Sequence, residues 1–499
     1  MNSMKIFKIT QLFLIVTTLL SFNAHSQRYV TEVFTDVSVT NDVQYATNIT
    51  VITGSPSLDT LYMDVYEPVG DSETERPVVI IAHDGEFLPV PINGMPYGER
   101  KDSAIVHLCN KLAKRGFVAI SYSYRLGWNP VASSQEIRTG TYINAQYRAA
   151  QDGFTLVRHL RNDVDVQGNT FGIDTSRIIS GGLGVGGQIS ASLAFLDRYE
   201  EMTLSKFINP STIQSYVDSS LSGNVYGTQQ RPLTIANNPS YSSNIHFAFN
   251  MGGYVSDSTW IEAGDVPMVS FGLPFDPFAP YDFGAIIVQT TGDFVTNCSG
   301  AKGIQRRQAF HGNNTPFSSV SYSDVYTTQA DLNNSGFDGL YPFITATTEY
   351  SPWNFWDFTT WDIPHPAGGT YNDQGLLTNP GMSLTKSNSY LDTVVNYLCP
   401  RIVCALDLVG CPNASLDKNE EASSFQIYPN PNDGNFTLRL RSTSITNSIQ
   451  ITDLSGNIID ERSLKESDVQ MHLTHLNPGV YFVTLSNDNQ KITKRVVID

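Results

Sequence analysis

Positive charge is scarce in this chain. Lysine and arginine total 31 against 48 aspartates and glutamates, a formal charge of −17. An acidic balance of this size repels phosphate backbones and anionic lipid surfaces, which argues against a nucleic-acid binder and against docking on an anionic membrane. Long apolar runs are also missing. Beyond the first twenty residues no stretch stays apolar for the ~18 residues that a membrane helix needs, so no membrane span is expected after leader removal. Cysteine is sparse, at five in 499 residues: Cys109, Cys298, Cys399, Cys404 and Cys411. Their spacing contains no C-x-x-C and fits no zinc pattern, so neither a metal nor a cofactor is expected. What remains is ordinary folded composition, 40% hydrophobic and 11% aromatic, too apolar for a disordered chain.

The N-terminus reads as a signal peptide over 1–26. Lys5 and Lys8 precede an apolar run from Leu12 to Leu20, and Ala24-His25-Ser26 places small residues for a cut before Gln27. Export permits disulfides. An odd cysteine count leaves at least one thiol free or paired between chains. Cys399, Cys404 and Cys411 crowd together, so one short-range bridge is expected there.

Length gives a prior of about three domains. A polar, aperiodic run over 413–424 reads as a linker. Over 27–412, strand-like runs such as Pro77-Val-Val-Ile-Ile-Ala82 and Phe117-Val-Ala-Ile-Ser-Tyr122 alternate with helical spacing at Ser103–Arg115 and Tyr142–Leu160. Later strands are read at Ile245–Phe249 and Pro267–Phe271. That alternation implies an α/β fold with a mostly parallel sheet flanked by helices. Over 425–499 alternating strands and the turns Asn432-Asp-Gly434, Ser455-Gly-Asn457 and Pro478-Gly479 imply a small all-β sandwich.

Several segments, in order, resemble the α/β-hydrolase family, in its carboxylesterase and feruloyl/acetyl-esterase-like branch. Leu61–Pro68 and Arg76–Phe87 look like the strands leading into that family's oxyanion loop. Ser123-Tyr-Arg125 looks like its Asp-Tyr-Arg, Tyr147–Asp152 like the helix before the nucleophile, and Gly172–Gly182 like the strand entering the nucleophile elbow. Pro267–Tyr281 looks like the loop bearing the catalytic acid. Residues 425–499 resemble the type A sorting domain of the type IX secretion system of Bacteroidetes, through Tyr428-Pro-Asn-Pro431, Gly434-Asn-Phe436, Leu476–Val483 and the closing Lys494-Arg-Val-Val497. The resemblance implies a secreted or surface-attached protein whose partner is the type IX machinery.

Against that frame the chemistry departs. An elbow G-x-S-x-G carries serine on a strained strand-to-helix turn. Here the frame is Gly182-Leu183-Gly184-Val185-Gly186, followed by Gly187, so Gly184 leaves the nucleophile position vacant. Gly182, Gly184 and Gly187 also fit a G-x-G-x-x-G phosphate loop, but they fall too late in the chain for that fingerprint. The oxyanion loop reads His83-Asp84-Gly85-Glu86, and carboxylates there oppose a developing negative charge. Asp276 holds the acid position, and the orienting histidine is His311 or His365, both of which follow it in the chain. The run Tyr350–Trp361 holds three tryptophans, read as either a ligand-stacking surface or a cap anchored in the core. The leading expectation is an exported, non-catalytic ligand-binding homologue of carboxylic-ester hydrolases, taking a small ester, peptide or glycan-like ligand. The alternatives are an active hydrolase with an unusual nucleophile or activated water, and a surface structural or adhesion protein.

Overall fold

The computed structural model describes residues 28–288, 291–345, 349–411, 425–440, 447–453, 457–464, 468–486 and 491–498. The leader expected at 1–26 and the linker expected at 413–424 lie outside the described residues.

Eight strands form the main sheet: β1 (Val37–Thr50), β2 (Ser57–Pro68), β3 (Arg76–Ala82), β4 (Val118–Tyr122), β5 (Ile173–Gly182), β6 (Phe247–Met251), β7 (Met268–Gly272) and β8 (Leu340–Pro342). Their spatial order is β1-β2-β4-β3-β5-β6-β7-β8. β1, β2 and β4 pair antiparallel, and every pair from β4 to β8 is parallel. This is the α/β-hydrolase sheet. β3 is buried along its whole length, as a continuous apolar run must be when both faces of a parallel sheet are covered. Val78 and Ile80 face one core, which includes α2 (Gln135–Val166) and α3 (Val185–Phe195). Val79 and Ile81 face the other, which includes α1 (Ser103–Ala113) and α4 (Leu384–Ala405). The period-2 alternation of one strand thus builds a three-layer body.

Most elements fall near the expected places. The helix expected at Tyr142–Leu160 runs longer at both ends, over Gln135–Val166. The strands read at 245–249 and 267–271 begin slightly later, at Phe247 and Met268. Neither β1 nor the antiparallel hairpin Phe283–Ile287 with Phe294–Ser299 stands out in the sequence. Cys404 and Cys411 form the short-range disulfide, while Cys109, Cys298 and Cys399 are free and buried.

The C-terminal strands form a three-stranded and a four-stranded antiparallel sheet. Between them lies a core that includes Phe425, Phe436, Leu438, Ile449, Met471, Val483 and Val496. Two of the strands, Ile458–Leu464 and Asp468–His472, escape the sequence reading because polar and charged residues outnumber apolar ones in them. Among the described residues no helix is long and apolar enough to cross a membrane.

Candidate functional site

β5 ends in Gly181-Gly182, turns through Leu183-Gly184, and α3 starts at Val185. Gly184 has φ 53° and ψ −121°, outside the regions open to ordinary residues. The neighbouring glycines answer to close approach. A Cβ on Gly182 would fall on the backbone of Gly186, and one on Gly186 would fall on the carbonyls of Ala82 and His83. A Cβ on Gly187 would lie 3.0 Å from both the Asn250 Cβ and the Gly253 Cα. Strand, turn and helix therefore meet with no room for side chains.

The expected vacancy at Gly184 is filled. A Cβ there would land on the carboxyl group of Asp84, well inside van der Waals contact with Oδ1, Cγ and Oδ2. The loop after β3 puts it there, turning through Gly85 (φ 121°), Glu86 (φ 57°) and Phe87 (φ 56°). Asp84 is 3% exposed. Its Oδ1 accepts the backbone N–H of Gly85 at 2.9 Å and that of Val185 at 3.3 Å. Val185 is the first residue of α3, so the carboxyl takes the helix N-terminal donor that follows Gly184.

Tyr350 closes the site from the other side. Its hydroxyl lies 3.2 and 3.1 Å from the two Asp84 oxygens and 3.0 Å from Glu86 Oε1. Ser351 Oγ adds a donor to Asp84 Oδ2 at 3.3 Å. One hydroxyl proton cannot serve two carboxyls. A proton held on Asp84 and accepted by the Tyr350 oxygen satisfies the whole group. Burial raises the Asp84 pKa, which favours that protonated form. His83 stays out of this exchange. Its Nδ1 donates to the Asp84 carbonyl at 2.5 Å, its ring stacks on Tyr124 at 4.4 Å, and burial lowers its pKa to about 4, so it is neutral.

Asp276 sits in the loop after β7. Its Oδ1 accepts the N–H groups of Phe278 at 2.8 Å and Ala279 at 3.0 Å, closing a local turn. Neither expected histidine joins it. His311 is the last residue of the helix Ala301–His311, where its neighbours are Phe310, Arg307 and Glu262. His365 lies in a loop, its Nδ1 accepting from Ala367 N at 3.1 Å and its ring against Tyr371. The residue that follows β8 and reaches the Gly184 turn is Tyr350. Trp353 and Trp356 are buried, so the aromatic run 350–361 anchors a loop in the core.

A small hollow lies beside the turn, lined by Glu86, Gly184, Val185, Tyr254, Phe278 and Tyr350 among others. Among the described residues no cluster of histidine, cysteine, aspartate and glutamate has metal-ligand geometry.

Burial pushes the Asp276 carboxyl up to about 7. Below pH ~4 both the folded and the unfolded chain hold this proton. Between ~4 and ~7 the unfolded chain has released it and the folded chain has not, so rising pH costs stability at up to about 1.4 kcal/mol per unit. Asp276→Asn keeps the acceptor oxygen and removes the titration. Its urea midpoint should vary less between pH 4 and 7 than that of the wild type, and parallel curves would refute a buried protonated Asp276.

Residues 426–499 match the family model of a secretion system C-terminal sorting domain. Comparison with curated proteins gives no match. Among solved structures, a thermophilic esterase of the Planctomycetes species Thermogutta terrifontis with propionate bound is 14% identical, with a TM-score of 0.35, covering 60% of this chain and 84% of its own. Esterase 2 of Thermogutta terrifontis phosphoramylated by tabun is 13% identical, with a TM-score of 0.38, covering 72% and 93%. The fold assignment rests on the strand order and pairing of the chain itself. The protein is an α/β-hydrolase-fold body with a type IX secretion system C-terminal sorting domain, which makes it secreted or cell-surface attached.

Proposed function

We propose that this exported protein is a non-catalytic, ligand-binding relative of the esterases, with 27–412 as its binding body and 425–499 as its address. One observation carries the reading: the Asp84 carboxyl occupies the space into which a side chain at Gly184 would project. No acyl group can be held at that point. The same carboxyl takes the Val185 N–H, the donor that would otherwise stabilise a developing oxyanion. Asp84, Glu86 and Asp276 crowd carboxyls near the site, and any of them that ionises opposes an anionic transition state. Tyr350 does not replace the missing base, because burial holds its pKa well above 10. An active hydrolase using Asp84 as an unusual nucleophile is the competing reading, and it must build charge against those same groups.

The test is turnover of a series of aryl esters together with labelling by a serine-reactive probe. The expected outcome is no hydrolysis above background and no label. Robust hydrolysis that Asp84→Asn or Asp276→Ala abolishes would overturn the proposal.

A further inference from the structure

We infer that the sorting domain is latched onto the body, with Arg495 and Val497 of its last strand closed on the loop 336–339, at the end of the main sheet opposite Gly184. The inference goes beyond the ligand-binding reading and does not depend on it.

The body side is a platform set in advance. Residues 336–339 run directly into the start of β8, whereas the Gly184 turn follows the end of β5. β5 to β8 are parallel, so loop and turn lie at opposite ends of the sheet. Asn334 Oδ1 accepts the Gly336 N–H at 2.9 Å, Asn314 Nδ2 donates to the Asp338 carbonyl at 3.2 Å, and Ser270 N donates to the Gly339 carbonyl at 2.7 Å. Phe337 is buried in a small cluster with Ala301 and Leu340. A platform already fixed loses little entropy when a partner docks.

The sorting domain presents alternate residues of the strand Lys491–Ile498. Val496 and Ile498 lie in its core, so Arg495 and Val497 point the other way. The two hydrogens on Arg495 Nη2 reach Asp338 Oδ2 at 2.7 Å and the Gly336 carbonyl at 2.8 Å. Val497 rests on Gly336, where a Cβ would meet its Cγ2 at 3.4 Å. Asn430, within Tyr428-Pro-Asn-Pro431, frames the contact. Its Oδ1 accepts the Val497 N–H at 2.7 Å, and its Nδ2 donates to the Arg495 carbonyl at 3.0 Å. Two of the segments that carry the sorting-domain likeness thus build the face that meets the body.

The ion pair is partly exposed, 29% at Arg495 and 30% at Asp338, and such a pair holds little by itself. The tether changes the balance. With 413–424 as linker, closure is intramolecular, at an effective concentration in the millimolar range. A contact too weak to join separate molecules then suffices. Arg401 is within electrostatic reach of Asp338, so opening does not strip that carboxylate of positive charge. The latch is therefore reversible and salt-sensitive. While it is closed, Arg495 is unavailable to another partner and the Gly184 end of the body stays uncovered.

The test is small-angle X-ray scattering of the full chain at low salt and at about 1 M salt, where the Debye length falls to about 3 Å. The wild type should be one compact particle at low salt and expand at high salt. Arg495→Glu, Arg495→Ala and Asp338→Asn should each raise the radius of gyration at low salt. Asp338→Lys/Arg495→Glu, which exchanges the charges, should recover the compact value. Near-UV circular dichroism checks that each variant is folded, and the milder Arg495→Ala and Asp338→Asn keep the test standing where a charge reversal disrupts folding. A wild type already expanded at low salt, folded Arg495→Ala and Asp338→Asn chains as compact as the wild type, or a folded exchanged pair no more compact than Arg495→Glu would overturn the inference.

Discussion

Gly184→Ser should destabilise the protein by about 2–6 kcal/mol and leave it without esterase activity. Two costs combine. A non-glycine residue at φ 53° and ψ −121° costs about 1–3 kcal/mol in backbone strain. Forcing a side chain into filled space adds about 1–3 kcal/mol, and here the obstacle is Asp84, 3% exposed and held by Gly85, Val185, Tyr350 and Ser351. Asp84 cannot swing aside without leaving a buried carboxyl short of partners. The two positions are therefore coupled, and the coupling is measurable. Asp84→Gly made in the Gly184→Ser background should cost less than Asp84→Gly alone, with an interaction energy of about 0.5–3 kcal/mol in urea denaturation. Even the double variant should be inactive, because Tyr350 stands where a base is needed. A Gly184→Ser protein as stable as the wild type, or strictly additive costs, would show that Asp84 does not fill the site. Gain of esterase activity in either variant would show that a usable base lies nearby.

How much of this was legible beforehand depends on what kind of signal each feature leaves. β3 and β4 are continuous apolar runs buried on both faces, and such runs announce a central parallel strand. β1 is invisible because its N-terminal half is mostly exposed and reads as polar coil. Gly184 is legible as a missing hydroxyl, since the surrounding glycines keep the frame of the turn. The filling of that position is not legible. Asp84 and Gly184 are one hundred residues apart, and nothing local tells whether a loop carboxylate points to solvent or inward. The resemblance implies a histidine here, so nothing in the sequence singles out Tyr350. Chain order after β8 was the available signal, because the loop that follows the eighth strand returns to the turn whatever residue it carries. Of the two readings open for the tryptophans beside Tyr350, a ligand surface or a cap anchored in the core, burial of Trp353 and Trp356 favours the anchor.

Arg125→Met should cost about 3–5 kcal/mol, because it leaves a buried carboxylate without its cation. Arg125 lies just after β4 in Ser123-Tyr-Arg125, and its side chain and that of Asp152 are both 0% exposed. Arg125 Nε donates to both Asp152 oxygens at 2.9 Å, and Arg125 N donates to Oδ2 at 2.8 Å. The remaining guanidinium hydrogens bind the carbonyls of Ile49, Leu233 and Arg148 and the Gln151 side chain. One side chain therefore joins the end of β1, the segment at 233 and α2. It also fixes the preceding residue, Tyr124, whose hydroxyl donates to the His83 carbonyl at 2.9 Å and so braces the loop that carries Asp84. A second buried guanidinium, Arg148, has its pKa lowered to about 10 by burial and by the Arg125 charge. Asp152→Asn should be similarly costly, since it strands Arg125. Removing both charges at once, in Arg125→Met/Asp152→Leu, should recover most of the loss, because an apolar pair avoids the desolvation that the ion pair must offset. Urea denaturation of the three variants decides the matter. A double variant as unstable as the sum of the single ones would mean that the guanidinium acts through its carbonyl contacts, as a backbone clamp, and not through its pairing with Asp152.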